Sequence, residues 1–150
     1  MTGGLNELVM WQYRSEIKKP KSMRSKKIAR VDEIFSKYIR RRDCGFKFGL
    51  CISCSAIIQF NTCDCGHYIN RRHMALRFDE QNCNAQCRSC NSFDEGNVQG
   101  YRRGLIVKIG EKATDLLEIR KHNECHLSEI ELDLLFKYFS NKLKDLEKNS

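Results

Sequence analysis

The chain reads as an α+β protein: a small cysteine-rich core of short strands, flanked by an N-terminal helix and a set of C-terminal helices. Three observations point there. Two Cys-x-x-Cys pairs, Cys51/Cys54 and Cys87/Cys90, enclose short runs of strand character. Apolar residues recur at helical spacing before the first pair and after the second. The 150 residues suffice for one core of ordinary size, or one core plus an arm.

Residues 1–30 hold the only proline, Pro20, and are read as a basic arm and linker, flexible or partly helical over 18–30; residues 31–150 form the folded domain. Trp11 and Tyr13 either anchor the arm or stack on bases. Val31, Ile34, Phe35, Tyr38 and Ile39 make one helical stripe, with Lys37, Arg40, Arg41 and Arg42 largely off it. Gly45 suits the helix end. After the first pair, "SAIIQF" and "NTCDCGHYIN" read as the two strands of a hairpin. "RRHMALRFDEQN" reads as a loop, "CNAQ" as a short strand, and "CRSCN" as a second knuckle opening a short helix. "VQGYRRGLIVKIG" is a helix with Tyr101, Leu105, Ile106 and Ile109 on one face, stopped by Gly110; "EKATDLLEIRK" is another. The last helix opens on a capping box, Ser128 with Glu131. Its stripe of Ile130, Leu134, Leu135, Tyr138, Phe139 and Leu146 is either core or the seam of a homodimer.

The formal charge is +8, and its placement says more than its size. Residues 14–42 hold 12 Lys/Arg against 3 acids, while the rest of the chain is nearly balanced. Such a segment, Arg40, Arg41 and Arg42 included, is a footprint for a polyanion or a solvated helix face. No apolar run is long enough for a membrane span. The first residues lack the layout of a signal peptide, so the expected compartment is the reducing cytoplasm. There, nine cysteines read as metal ligands or free thiols rather than disulfides.

A Cys-x-x-Cys knuckle presents two thiolates to one tetrahedral ion, and two knuckles fill a closed structural zinc site. Cys51, Cys54, Cys87 and Cys90 are the expected ligands. The spacing between the pairs exceeds that of a zinc ribbon, so something must fold between them. Cys63 and Cys65 share a strand face and are either a replacement half-site or small buried residues. His67 is a further zinc-ligand candidate, although four thiolates already close the site.

The order "IFSKYIRRRD", "CISC", "DCGHYINRR", "LRFDEQNCNAQCRSCNSFDEGN" and "YRRGLIVKIG" resembles the NinG family of phage recombination proteins, also called Rap, from about Val31 to Leu146. The resemblance implies a treble-clef-like zinc-knuckle core of the ββα-metal (HNH) type. It implies an endonuclease acting on branched recombination DNA, such as a four-way junction, in the cytoplasm of a bacterial host. His67 would be the general base, Asn82 would orient it through backbone hydrogen bonds, and Asn91 would hold a catalytic magnesium or manganese ion. Arg71, Arg72 and Arg77 would grip phosphates. A junction resolvase also favours a two-fold dimer.

One position departs from the wider HNH pattern. Gly66 stands where a metal-binding aspartate often precedes the histidine. Asp64 lies on the same side of the strand and is the expected ligand instead, with Asp79 and Glu80 as alternatives. The family pattern also includes an N-terminal cysteine-rich finger, and residues 1–30 hold no cysteine. The competing reading is a non-catalytic zinc module that binds DNA or RNA through the basic segment.

Overall fold

The computed structural model describes residues 22–93 and 95–148. The arm up to residue 21, with Trp11 and Tyr13, lies outside the described residues. Helix α1, Met23–Cys44, begins well before the expected Val31. Ser22 caps it, its Oγ accepting from the Ser25 amide at 3.1 Å. From Met23 the basic stretch is therefore the first part of a helix, the helical of the two forms expected for it. Polar contacts hold it: Lys27 Nζ lies 2.6 Å from Asp133, and Arg24 Nε donates to the Leu127 carbonyl at 3.2 Å. An apolar stripe does not reveal such contacts, which is why the pattern begins only at Val31. Beyond that point Val31, Phe35, Tyr38 and Ile39 are buried as the stripe requires.

Gly45, at φ +56, ends α1, and two short antiparallel pairs follow. Strand β1, Gly49–Leu50, pairs with β2, Ile57–Ile58, around the first knuckle. Strand β3, Cys63–His67, pairs with β4, Cys83–Cys87, in a register running from Cys63↔Cys87 to His67↔Cys83. The expected hairpin between the β2 and β3 segments does not form. β1 already pairs with β2 to close the knuckle, and β3 waits for a partner across the loop that holds the short helix α2, Met74–Arg77. After β4 comes a single wide turn, Ser89–Phe93, then α3, Val98–Ile109; α4, Glu111–Arg120; and α5, Glu129–Lys148. Among the described residues no helix is long and apolar enough to cross a membrane.

α1 and α5 clamp one face of the β3–β4 ladder. Phe35 meets Phe139 edge-on at 4.7 Å and Phe78 at 5.8 Å, over Ile39, Cys65 and Cys83. α3 closes the other face through Tyr101, whose hydroxyl donates to the Gly66 carbonyl at 2.9 Å. The capping box opens α5, Ser128 Oγ and Glu131 exchanging bonds of 3.2 and 2.7 Å. On that helix Leu132 and Phe139 are buried, whereas Ile130, Leu134 and Tyr138 are exposed.

A polar hub joins these layers. Asp43, at the end of α1, accepts from the Ala85 amide of β4 at 2.8 Å, from Arg42 Nε at 2.8 Å and from Lys108 of α3 at 3.0 Å. Arg42 also donates to the carbonyls of Glu80 and Cys83. Burial alone pushes the Asp43 carboxyl up, but Arg42, Lys108 and the Ala85 amide outweigh it and hold the group below its usual value. The carboxylate therefore stabilises the fold above the ordinary aspartate range, and that contribution is lost as the pH falls through the lowered value. An Asp43→Asn protein should be about 2–3 kcal/mol less stable in urea denaturation near neutral pH. The gap to the unmutated protein should narrow as the pH falls below the ordinary aspartate range.

Candidate metal centre

The first knuckle lies in the β1–β2 loop, and the second follows β4. The Cys51 backbone bonds to Ala56 at 2.8 Å and to Ser55 at 2.9 Å, and Ser55 takes a left-handed conformation at φ 60. This turns the chain tightly enough for Cys51 and Cys54 to face the same point. The second knuckle meets them there: the four sulfurs of Cys51, Cys54, Cys87 and Cys90 all lie within 4.8 Å of one another. Their surroundings suit thiolates. The Cys87 amide donates to Cys51 Sγ at 3.3 Å, the Cys90 amide to Cys87 Sγ at 3.4 Å, and Asn97 Nδ2 to Cys90 Sγ at 3.3 Å.

Four soft donors with N–H···S support fit a tetrahedral ion such as zinc. Without a cation the four do not ionise alike: against desolvation, backbone amides hold Cys51 below its ordinary value, while desolvation and the neighbouring thiols raise Cys87. The Ala56 amide pulls Cys54 down, but desolvation and the thiols of Cys51, Cys90 and Cys87 push it up to about 12. A bound divalent cation inverts that balance, so metal binding should release protons.

Asn91 directly follows the second knuckle, and its Nδ2 donates to Asp64 Oδ2 at 3.1 Å. The structure thus brings these two expected ligands together at the knuckle end of the ladder. It also gives a reason for Gly66. A Cβ there would overlap Gln86 Oε1, because Gln86 fills that space and donates to Ser53 Oγ at 2.8 Å and the Gly96 carbonyl at 2.7 Å. Asp79 and Glu80 point elsewhere, bound to Arg120 and to Tyr38 and Lys142.

His67 stands apart from that pair. It is three residues along β3, roughly 10 Å of strand, and on the opposite face. His67 and the Asp64–Asn91 pair, expected to serve one site as base and metal ligands, therefore lie on opposite faces of the strand. His67 Nε2 lies 3.0 Å from the Arg77 carbonyl. A carbonyl only accepts, so Nε2 carries the proton and Nδ1 keeps its lone pair. Burial holds this imidazole below its ordinary pKa despite the Arg77 carbonyl, and Arg71 acts in the same direction as burial. Asn82 is buried and clamps the loop: its Oδ1 accepts from the Ile69 amide at 2.7 Å, and its Nδ2 donates to the carbonyls of Ile69 and Leu76 at 2.9 and 3.0 Å.

The arginines divide into two groups. Arg42 is the strut described above. Arg77 pairs with Asp32 at 2.5 Å. Arg40 donates to the Phe60 carbonyl at 2.9 Å, and Arg41 stacks over the Phe46 and Phe60 rings while bonding Gly45. These four, expected to contact nucleic acid, brace the protein itself. Arg71 and Arg72 are exposed, and the Arg71 guanidinium has no hydrogen-bond or ion-pair partner among the described residues. The sequence reading missed Asp32, which anchors Arg77 beside His67, and Gln86, which occupies the space at Gly66. Both sit in segments whose local pattern signals only helix or strand.

Fold and centre together define a small α+β protein built on a four-cysteine cluster that can hold a metal ion. Its family is shown by sequence: residues 6–149 match the NinG family, described as the bacteriophage lambda NinG protein, and the chain belongs to that family. It is 36% identical over 124 residues to protein ninG of Escherichia phage 933W. It is 35% identical over the same length to protein ninG of Escherichia phage lambda and to that of Salmonella phage P22. These alignments cover 82% of this chain and 58–59% of the relatives, so the chain spans under two thirds of their length. No solved structure matches.

Removing metal from the cysteine cluster should abolish cooperative unfolding, followed by circular dichroism on adding a strong chelator, with recovery on returning zinc. A Cys51→Ser protein should lose about one tightly held zinc per chain in elemental analysis, and zinc affinity should fall on acidification.

Proposed function

We propose that this chain is a metal-dependent endonuclease acting on branched DNA in phage recombination. The observation that carries the reading is the His67 Nε2 contact to the Arg77 carbonyl. It fixes the tautomer that leaves Nδ1 free to take a proton from water, which is what a general base requires. Asn82 holds the loop that supplies this carbonyl, through its bond to Leu76, one residue before Arg77. Asp64 and Asn91 would hold magnesium or manganese, which supplies charge neutralisation at the phosphate and leaving oxygen when bound. β3 has a strand partner on one edge only among the described residues. A phosphodiester laid along the other edge would meet side chains from both faces. Arg71 and Arg72 are the cations left exposed for the backbone. The exposed Ile130, Leu134 and Tyr138 would serve a two-fold dimer on a symmetric junction.

A second reading is favoured by one observation: His67 and the Asp64–Asn91 pair lie on opposite faces. A zinc-stabilised DNA-binding module would need no such convergence. Cleavage of matched linear and four-way DNA with magnesium or manganese separates the two. The nuclease reading expects His67→Ala and Asp64→Ala proteins to fold, keep the cysteine-bound zinc, bind junctions, and cleave at least about 100-fold more slowly. Equal cleavage by His67→Ala and the unmutated protein would sink it, as would no cleavage by any form. In either reading junction affinity should fall steeply with salt, and Arg71→Ala should lower the slope of log affinity against log salt by about 1.

A further inference from the structure

We propose that Cys65, His67 and Cys83 form a second metal site, for a thiophilic divalent cation of the zinc class, on the face of the β3–β4 ladder that α1 and α5 cover. The Cys65 and Cys83 sulfurs and a ring nitrogen of His67 all lie within 4.8 Å of one another. The backbone dictates this meeting. Cys65 and His67 are two apart on β3 and share a face, and Cys83 is the register partner of His67 on β4. A tetrahedral ion with bonds of about 2.0–2.3 Å sets its donors about 3.5–3.8 Å apart, so contraction of at most about 1.3 Å would seat it.

The surroundings distinguish this triad from cysteine that merely packs. Phe35, Phe78 and Phe139 line the same cluster, an apolar setting in which an imidazole and two thiols face one another. Two thiolates and one divalent cation carry no net charge, which a buried site requires. The four-cysteine complex would instead carry about −2, and it keeps Cys54 at the surface. The Arg77 carbonyl oxygen contacts both His67 Nε2, at 3.0 Å, and Cys83 Sγ, at 3.8 Å. That oxygen accepts from the imidazole N–H and so orients the ring with the free lone pair on Nδ1. The two candidate sites would then pin opposite ends of one ladder, at Cys87 and at Cys83.

The site also has a functional edge, which rests on the nuclease reading above. An ion on His67 takes the imidazole that would serve as base, so zinc at the triad and magnesium-supported cleavage exclude each other.

Metal content tests the site without reference to cleavage. The full chain, equilibrated with zinc and then dialysed, should hold about two zinc ions by elemental analysis and native mass spectrometry. Cys65→Ala should hold about one, and cadmium NMR should lose the signal from mixed sulfur and nitrogen ligands while keeping the four-sulfur signal. One zinc in the unmutated chain, or two retained in Cys65→Ala, overturns the proposal. Cys65→Ala is chosen because Cys65 is less buried than Cys83. In the cleavage assay, excess zinc should inhibit the unmutated protein and spare Cys65→Ala; equal inhibition overturns the exclusion. If no form cleaves, the nuclease reading fails and the metal count still decides the site.

Discussion

The fold depends on four thiols from two distant loops meeting at one point. Only a small cluster of Cys44, Cys51, Ile58, Cys63, Ala85 and Cys90 is buried around the knuckles, and β1 and β2 are two residues each, too short to persist alone. The Cys87 amide bond to Cys51 Sγ ties the end of β4 to the first loop, and that tie sets where the β3–β4 ladder stops. Everything hung on the ladder follows. Asn91 is one residue past the last cysteine, and Asp64 is one pleat in from the ladder's end. Their contact is thus a by-product of where the cysteines are fixed.

The two faces of the ladder then take different chemistries because a strand alternates. Asp64, Gly66, Asn84 and Gln86 share one face, polar and hydrogen-bonded, closed by the Tyr101 hydroxyl. Cys65, His67 and Cys83 share the other, against the aromatic cluster of α1 and α5. A single strand thereby carries a carboxylate on one side and an imidazole on the other, and any ligand using both has to approach along the strand's edge.

Much of this was legible in the sequence, because the signals were local. The two cysteine pairs identified the cluster, the stripe from Val31 identified the buried face of α1, and Ser128 with Glu131 identified the start of α5. Asn91 could be placed because it adjoins a knuckle. What was not legible depended on pairing across distance. β2 chose β1 over β3, and β3 took a partner from beyond a loop; no local pattern encodes that choice. The roles of the arginines were not legible for a related reason. Charge alone does not show whether a guanidinium faces solvent, and Arg42 and Arg77 turned inward because Asp43 and Asp32 stand beside them. The first turns of α1 could be read only as flexible or partly helical, since polar contacts to Leu127 and Asp133, not apolar residues, hold them.

Gly66 and Gln86 compete for one volume. A Cβ at position 66 presses on the Gln86 side chain, so a larger residue there needs Gln86 to move. A side chain at 66 would turn Gln86 aside and cost the bonds that it makes to Ser53 and to the turn at Gly96. The glycine is therefore tied to a glutamine on the neighbouring strand, and a change at one is felt first as lost contacts at the other.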